Sequence, residues 1–240
     1  MTGRVLVTRP EPGASETAAR VRAAGFDPIV LPLTRIEPVK IDTLADPSTY
    51  TAVAVPSANA IRHAPQELLA VLAGKRCYAV GAATAKVAAG AGLAVVDAGA
   101  GDGARLAAII LEREAPGARI LYLCGRVRTD SFTAGLEGTP IAVDSVETYD
   151  TRVVDYPPEM LRQTLQGNPV RAALVYSAAG AKRLVVLSRN PDAAAALSSA
   201  TAICISGRTS AALGESSFPK RIVAKEPNEK GMLEALAELR

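Results

Sequence analysis

Histidine and cysteine are scarce in this chain, with one His and three Cys among 240 residues. Cys77, Cys124 and Cys204 are too widely spaced for a CxxC pair or a zinc pattern. Each falls in a short apolar run, so they read as small core residues. His63 has no second histidine beside it and no GxSxG elbow to join in a Ser-His-Asp triad; it reads as a partly exposed helix residue. Long apolar runs are missing too. None reaches the ~18 residues that a spanning helix needs, and the opening Val5-Leu6-Val7 is too short for a signal peptide. A cytoplasmic protein with no membrane partner is therefore expected. Charge of one sign is also lacking: 27 basic residues face 24 acidic ones, a net +3 that argues for no nucleic-acid partner. Nor is there a phosphate fingerprint. Gly81-Ala82-Ala83-Thr84 and the cluster Gly99, Gly101, Gly103 lack GxGxxG spacing, and no GxxxxGK[ST] occurs. The glycine cluster reads as tight turns. Neither metal nor organic cofactor is expected.

What the chain does have is alternation of short apolar runs with helical patterns. Runs at 4–8, 27–33, Ala52–Val55, 76–80, 119–124, 140–146, 172–176, 201–205 and 221–224 read as strands. Helices are predicted at 14–24, closed by Gly25, at 104–114 and at 181–187, with others opened by the turns at Ser57, Gly81 and Gly125 and one starting at 210–213 after the turn Ser206-Gly207-Arg208-Thr209. A last helix, 228–239, carries Met232, Leu233, Leu236 and Leu239 on one stripe. Continuous apolar strands suit parallel sheets covered on both faces. The fold class predicted is α/β, with right-handed crossovers. Two stretches, 34–39 and 147–153, alternate polar and apolar residues and read as extended connectors or edge strands.

One strand–turn–helix pair occurs twice. Ser57 and Thr84 follow the strands of the first copy, and Ser177 and Thr209 follow those of the second. The spacing is far beyond a solenoid repeat, which points to two similar domains. Each hydroxyl has two readings, a helix N-cap or a group on a ligand-facing rim beyond the strand ends. Arg9, Arg126 and Arg128 also follow strand ends. They are either solvated loop charges or forks for carboxylate and phosphate. Tyr149, in the second extended stretch, is either an interface tyrosine or a proton donor and hydrogen-bonding group for a ligand.

Taken in order, these motifs resemble the uroporphyrinogen-III synthase family. The resemblance is carried by Val5-Leu6-Val7-Thr8-Arg9-Pro10, Val55-Pro56-Ser57-Ala58-Asn59-Ala60, Ala79-Val80-Gly81-Ala82-Ala83-Thr84-Ala85, Leu121-Tyr122-Leu123-Cys124-Gly125-Arg126, Val146-Glu147-Thr148-Tyr149, Val175-Tyr176-Ser177 and Ser206-Gly207-Arg208-Thr209. These cover nearly the full length. Ser206 stands where the family usually has glycine.

The resemblance implies two α/β domains joined by two extended connectors. Residues 1–36 with 152–240 would form a discontinuous first domain, and 37–151 an inserted second one. It implies closure of the linear tetrapyrrole hydroxymethylbilane to uroporphyrinogen III, with loss of water and inversion of ring D, in the cleft between domains. Tyr149 would assist departure of the hydroxyl. Arg9, Ser57, Thr84, Arg126, Ser177 and Thr209 would bind the substrate carboxylates. The implied protein is a cofactor-free monomeric lyase of heme biosynthesis, with hydroxymethylbilane as its small-molecule substrate and room for a transient contact with hydroxymethylbilane synthase upstream. Two other readings fit parts of the pattern: a two-lobed binding protein for a small anion, and a nucleotide-dependent transferase, which the missing phosphate fingerprint disfavours.

Overall fold

Apolar tetrads make the strands, and turn residues end them. The computed structural model describes residues 3–41, 45–215 and 218–239. The chain opens with β1 (Arg4–Val7), α1 (Gly13–Ala23) and β2 (Asp27–Val30), with Gly25 at φ +83 in the left-handed turn between helix and strand. It continues as β3 (Thr34–Pro38), then a 3-10 turn at Pro47–Thr49, then β4 (Ala52–Val55). The helix after Ser57 is short: α2 (Ala58–Arg62) stops before Pro65, and α3 (Gln66–Val71) starts beyond it. A proline disfavours helical backbone in the residue before it.

Then come β5 (Arg76–Ala79), α4 (Ala82–Gly90), β6 (Ala94–Asp97), α5 (Gly103–Arg113), β7 (Arg119–Gly125) and the single turn α6 (Ser131–Ala134). The predicted strand at 140–146 and the extended stretch at 147–153 form one long strand, β8 (Ala142–Val153). The chain finishes with α7 (Pro158–Leu165), β9 (Ala172–Val175), α8 (Ala178–Ser188), α9 (Pro191–Leu197), β10 (Thr201–Cys204), α10 (Gly207–Ala211), β11 (Arg221–Val223) and α11 (Glu229–Ala237).

Two sheets result. One has the order β11-β10-β9-β1-β2, and the other β3-β8-β7-β4-β5-β6. The pairs from β11 to β2 and from β8 to β6 are parallel. The opening β1–α1–β2 unit thus completes a sheet whose other strands lie at the far end of the chain, through β1 against β9. β3 lies beside β8, flanked by the bonds Val39 N–H to Thr148 O and Val154 N–H to Leu33 O. The chain divides into two compact units, Met1–Arg35 with Arg152–Arg240, and Ile36–Thr151.

Each sheet is apolar on both faces. In the five-stranded sheet, Leu6, Ala173 and Val175 pack toward α7, α8 and α9, while Val5, Val7 and Leu174 pack toward α1 and α11. In the six-stranded sheet, Ala54, Ile120 and Tyr122 face α5, while Val53, Val55 and Leu123 face α2 and α4. The three cysteines are buried in β5, β7 and β10, and burial pushes the Cys77 thiol up to about 12. Met232 and Leu236 of α11 are buried against the first sheet, with Leu233 and Leu239 at its margin. Among the described residues no helix is long and apolar enough to cross a membrane.

Leu174 is fully buried in β9, the middle strand of its sheet. Leu174→Ala should lower the unfolding free energy by about 2–5 kcal/mol, since it removes buried methyl groups and leaves a cavity. Urea unfolding followed by circular dichroism measures this, and a loss under about 1 kcal/mol would mean the site collapses freely.

Candidate functional site

Covered on both faces, the central strands β4 and β9 carry no polar side chain, and the polar groups beside them follow their ends. In the inserted unit, the carboxyl end of β4 leads through Pro56 to Ser57. Ser57 is extended (φ −151, ψ 142) and its hydroxyl accepts from Asn59 N–H at 3.2 Å, the geometry of an N-cap. The end of β5 leads to Gly81, which caps α4 with no side-chain bond. The glycine cluster beyond serves as a turn. Gly101 (φ +79) donates to Val80 O at 2.8 Å, and Asp102 caps α5 through Arg105 N–H at 2.9 Å.

The second unit repeats this rim. Ser177 caps α8, accepting from Gly180 N–H at 3.0 Å. Ser206 caps α10 by accepting from Thr209 N–H at 3.3 Å. The matched threonines are therefore not caps. Gly81 (φ −160) and Ser206 (φ −157) hold the extended cap positions, so Thr84 and Thr209 sit inside the first turn of their helices, both buried. Ser57, Ser177 and Ser206 cap through their own hydroxyls, and Thr84 and Thr209 do not. Each unit nonetheless gathers two hydroxyl side chains and two helix starts at the carboxyl edge of its sheet, where helix N–H groups favour anions.

Tyr149 is brought to the rim of the inserted unit by β8. Its backbone O accepts from Arg126 N–H at 2.8 Å, beyond the end of β7. Burial pushes its phenol above the usual tyrosine value, and Ser57, within hydrogen-bonding reach, offsets part of that shift. The raised phenol stays protonated at neutral pH and can donate. His63 ends α2 with its ring centroid 6.3 Å from that of Tyr149. Burial, then the nearby Arg62, lowers its pKa, so it is neutral there.

The arginines are engaged. Arg126 meets Glu147 at 2.9 Å and Asp150 at 3.7 Å, and Arg128 meets Glu147 at 2.8 Å. In the other unit, Arg9 pairs with Glu229 at 3.0 Å and lies 4.4 Å over the Tyr176 ring. Glu229 also accepts from Thr17 at 2.8 Å and faces Arg20 at 3.5 Å. Burial pushes the Tyr176 phenol up. Thr17 and Glu229 lie near that buried hydroxyl, which makes no hydrogen bond among the described residues. Glu147, Asp150, Glu229 and His63 were not legible as site neighbours. Their partners lie up to 220 positions away, or depend on the exact pairing of β7 with β8. Among the described residues no three His, Cys, Asp or Glu side chains gather to hold a metal.

Hydrogen bonds from Arg128, then Arg126, hold the Glu147 carboxyl below its ordinary value of 4.5. A depressed carboxylate stabilises the folded chain above its unfolded pKa, and that contribution fades as pH falls through the lowered value. Glu147→Gln should therefore lower the urea midpoint at pH 7, and the gap from wild type should narrow as pH drops below about 4.5. An equal gap at pH 7 and pH 3 would assign the effect to packing.

A family model described as uroporphyrinogen-III synthase HemD matches residues 15–234. A curated relative, "Porphyrin biosynthesis protein HemD" of Ruminiclostridium josui, is 22% identical over 248 aligned positions; these cover 98% of this chain and 48% of the relative. The chain thus spans about half the length of that relative. Among solved structures, uroporphyrinogen-III synthetase from Helicobacter pylori 26695 matches with a TM-score of 0.66 at 20% identity, covering 100% of both chains. A mutant uroporphyrinogen III synthase from the extremely thermophilic bacterium Thermus thermophilus matches with a TM-score of 0.60 at 18% identity, covering 99% of this chain and 98% of that one. At such identity the structural matches speak for the fold, while the family model speaks for descent over most of the sequence. The chain, α/β with parallel sheets flanked by helices, belongs to the uroporphyrinogen-III synthase HemD family.

Proposed function

We propose that the chain is a uroporphyrinogen-III synthase, a cyclising lyase that converts hydroxymethylbilane to uroporphyrinogen III with loss of water and inversion of ring D. Family membership supports the substrate. The observation that carries the chemistry is the Tyr149 phenol, held protonated beside Ser57 at a rim of helix starts.

In this reading the substrate loses its hydroxyl as water. The C–O bond breaks and its electron pair leaves on oxygen, which takes up a proton as it departs as water; a hydrogen bond from the Tyr149 phenol eases the departure, and the ring proton released at the end of the sequence balances the one consumed. The azafulvene cation left behind is attacked by the substituted carbon of ring D, giving a spiro intermediate. Fragmentation and re-closure then turn ring D around, and loss of the ring proton restores the pyrrole. The electron-rich pyrrole drives ionisation. The protein's work is to hold an eight-carboxylate chain in one folded shape and to keep water from the cation.

Ser57, Thr84, Ser177 and Thr209 mark the helix starts whose N–H groups would receive acetate and propionate groups. Arg126 would add charge from the same rim as Tyr149. Each arginine would do so by exchanging its own carboxylate, Glu147 and Asp150 for Arg126 and Glu229 for Arg9, for one of the substrate's. We place the reaction in a cleft between two domains, 1–36 with 152–240 and 37–151, the chain acting as a cytoplasmic monomer. A transient contact with hydroxymethylbilane synthase would deliver the unstable substrate.

The test is product identity. Hydroxymethylbilane generated in situ is mixed with the protein, oxidised, and the uroporphyrin isomers are separated. Isomer III should dominate with wild type. Isomer I alone, from unaided closure in the presence of folded protein, would move the function to the small-anion binding reading. Tyr149→Phe should cut the rate of isomer III formation by about a hundredfold with the chain still folded; full turnover by this variant would remove Tyr149 from the chemistry.

A further inference from the structure

The ladder between β7 and β8 slips by one residue at its end. Arg119 to Cys124 pair with Ala142 to Glu147 one for one, and then Gly125 pairs with Tyr149, leaving Thr148 unmatched. This is a bulge, two residues opposite one, and bulges re-aim the side chains that follow them. In an unbroken strand, Tyr149 would share a face with Glu147, since side chains alternate. Instead it packs against the buried cluster that holds Val146, Val53 and Val55 with Ala60 and Ile61 of α2, on the face that follows Ser57.

Two further features fix that aim. Thr148 is fully buried, and its hydroxyl donates to Ala60 O at 2.9 Å. That carbonyl lies in the last turn of α2, where helical acceptors run out of backbone donors. The carbonyl of Thr148 accepts from Val39 N–H at 3.0 Å, while that of Tyr149 accepts from Arg126 N–H at 2.8 Å, so the bulge is gripped from both sides. Gly125, opposite, has no side chain where the tyrosine ring lies. A Cβ there would stand 2.6 Å from Tyr149 Cζ and 2.9 Å from its hydroxyl oxygen. Real contacts do not come that close, so the ring would have to leave.

We infer that Thr148 and Gly125 are positioning residues for Tyr149: the bulge locked by the Thr148–Ala60 hydrogen bond turns the phenol toward Ser57, and the bare backbone of Gly125 gives its ring the space to lie there. The inference rests on the reading of Tyr149 given above for its catalytic consequence, though not for its geometry. Thr148→Val keeps the shape and deletes the hydrogen bond. Thr148→Ser keeps the hydroxyl. Gly125→Ala fills the space under the ring.

The experiment labels the protein with 3-fluorotyrosine and follows the 19F resonance of position 149, assigned by its loss in Tyr149→Phe, through a pH titration. The same variants are assayed for isomer III formation. In Gly125→Ala and Thr148→Val the resonance should shift, and its titration should move down toward that of an exposed phenol; Thr148→Ser should match wild type. The kcat should fall about a hundredfold in Gly125→Ala and about tenfold in Thr148→Val with KM little changed, and Thr148→Ser should restore it. In the Tyr149→Phe background neither substitution should cost more. An unchanged resonance and titration in Thr148→Val and Gly125→Ala would overturn the inference, as would losses that multiply in the Tyr149→Phe background. Should Gly125→Ala fail to fold, the Thr148→Val and Thr148→Ser pair decides alone. Should wild type yield only isomer I, the proposed function falls, and the fluorine titration still decides the positioning.

Discussion

Burial of both faces of a parallel sheet is the constraint on which the rest of this chain depends. Strands such as Ala52–Val55 and Ala172–Val175 are buried along their whole length. They carry no polar side chain, because helices cover both faces and offer nothing for it to bond. Beside these central strands, polar chemistry is expelled to the strand ends. At the carboxyl ends it meets helices that start there with unpaired N–H groups. Ser57 and Ser177 satisfy part of that demand, and the helix starts beside them are where we propose an anionic ligand is received.

The second constraint is local. β8 must serve both as the neighbour of β7 and as the chain's exit past β3, and the bulge at Thr148 lets it do so while presenting Tyr149. Three hydroxyl or amide donors, from Thr148, Val39 and Arg126, hold a segment of two residues. Beside it, Arg126 and Arg128 neutralise Glu147 and Asp150, so the rim carries paired rather than open charge. An incoming polycarboxylate would meet oriented dipoles first and reach the guanidinium groups only by displacing the protein's own acids. That arrangement favours shape over bulk charge in selecting the ligand, consistent with a net charge of only +3.

Much of the fold was legible because its signals are local. Apolar tetrads bounded by glycine, proline and serine mark the strands, and their alternation with helical patterns gives the α/β class. The stripe of Met232, Leu233 and Leu236 marks α11. Short elements were less legible. α6 is a single turn, and the break between α2 and α3 depends on Pro65. The connectors read as alternating stretches, yet no propensity says that 140–146 and 147–153 join as one strand. At the site, Ser57 and Ser177 were visible as caps because capping is a short-range preference. Of the two readings open for Thr84 and Thr209, the cap is taken by Gly81 and Ser206, and α10 starts three residues before the Ser210 start read from the sequence. Pairings such as Arg9 with Glu229, and the one-residue slip that opposes Gly125 to Tyr149, arise from tertiary register and leave no trace in a single sequence.

The claim that joins these parts is that the ligand is received at the carboxyl edges of both sheets. Amide shift mapping of the 15N-labelled chain with uroporphyrinogen III, under anaerobic conditions, tests it most directly. The account predicts that the largest shifts fall on the amides following Ser57, Gly81, Ser177 and Ser206 and on Tyr149. At the amino edge of the first sheet lies a groove of about 810 Å³ lined by Arg4, Asn168, Arg171 and Lys220. Shifts confined to that groove, with the carboxyl edges silent, would contradict the account.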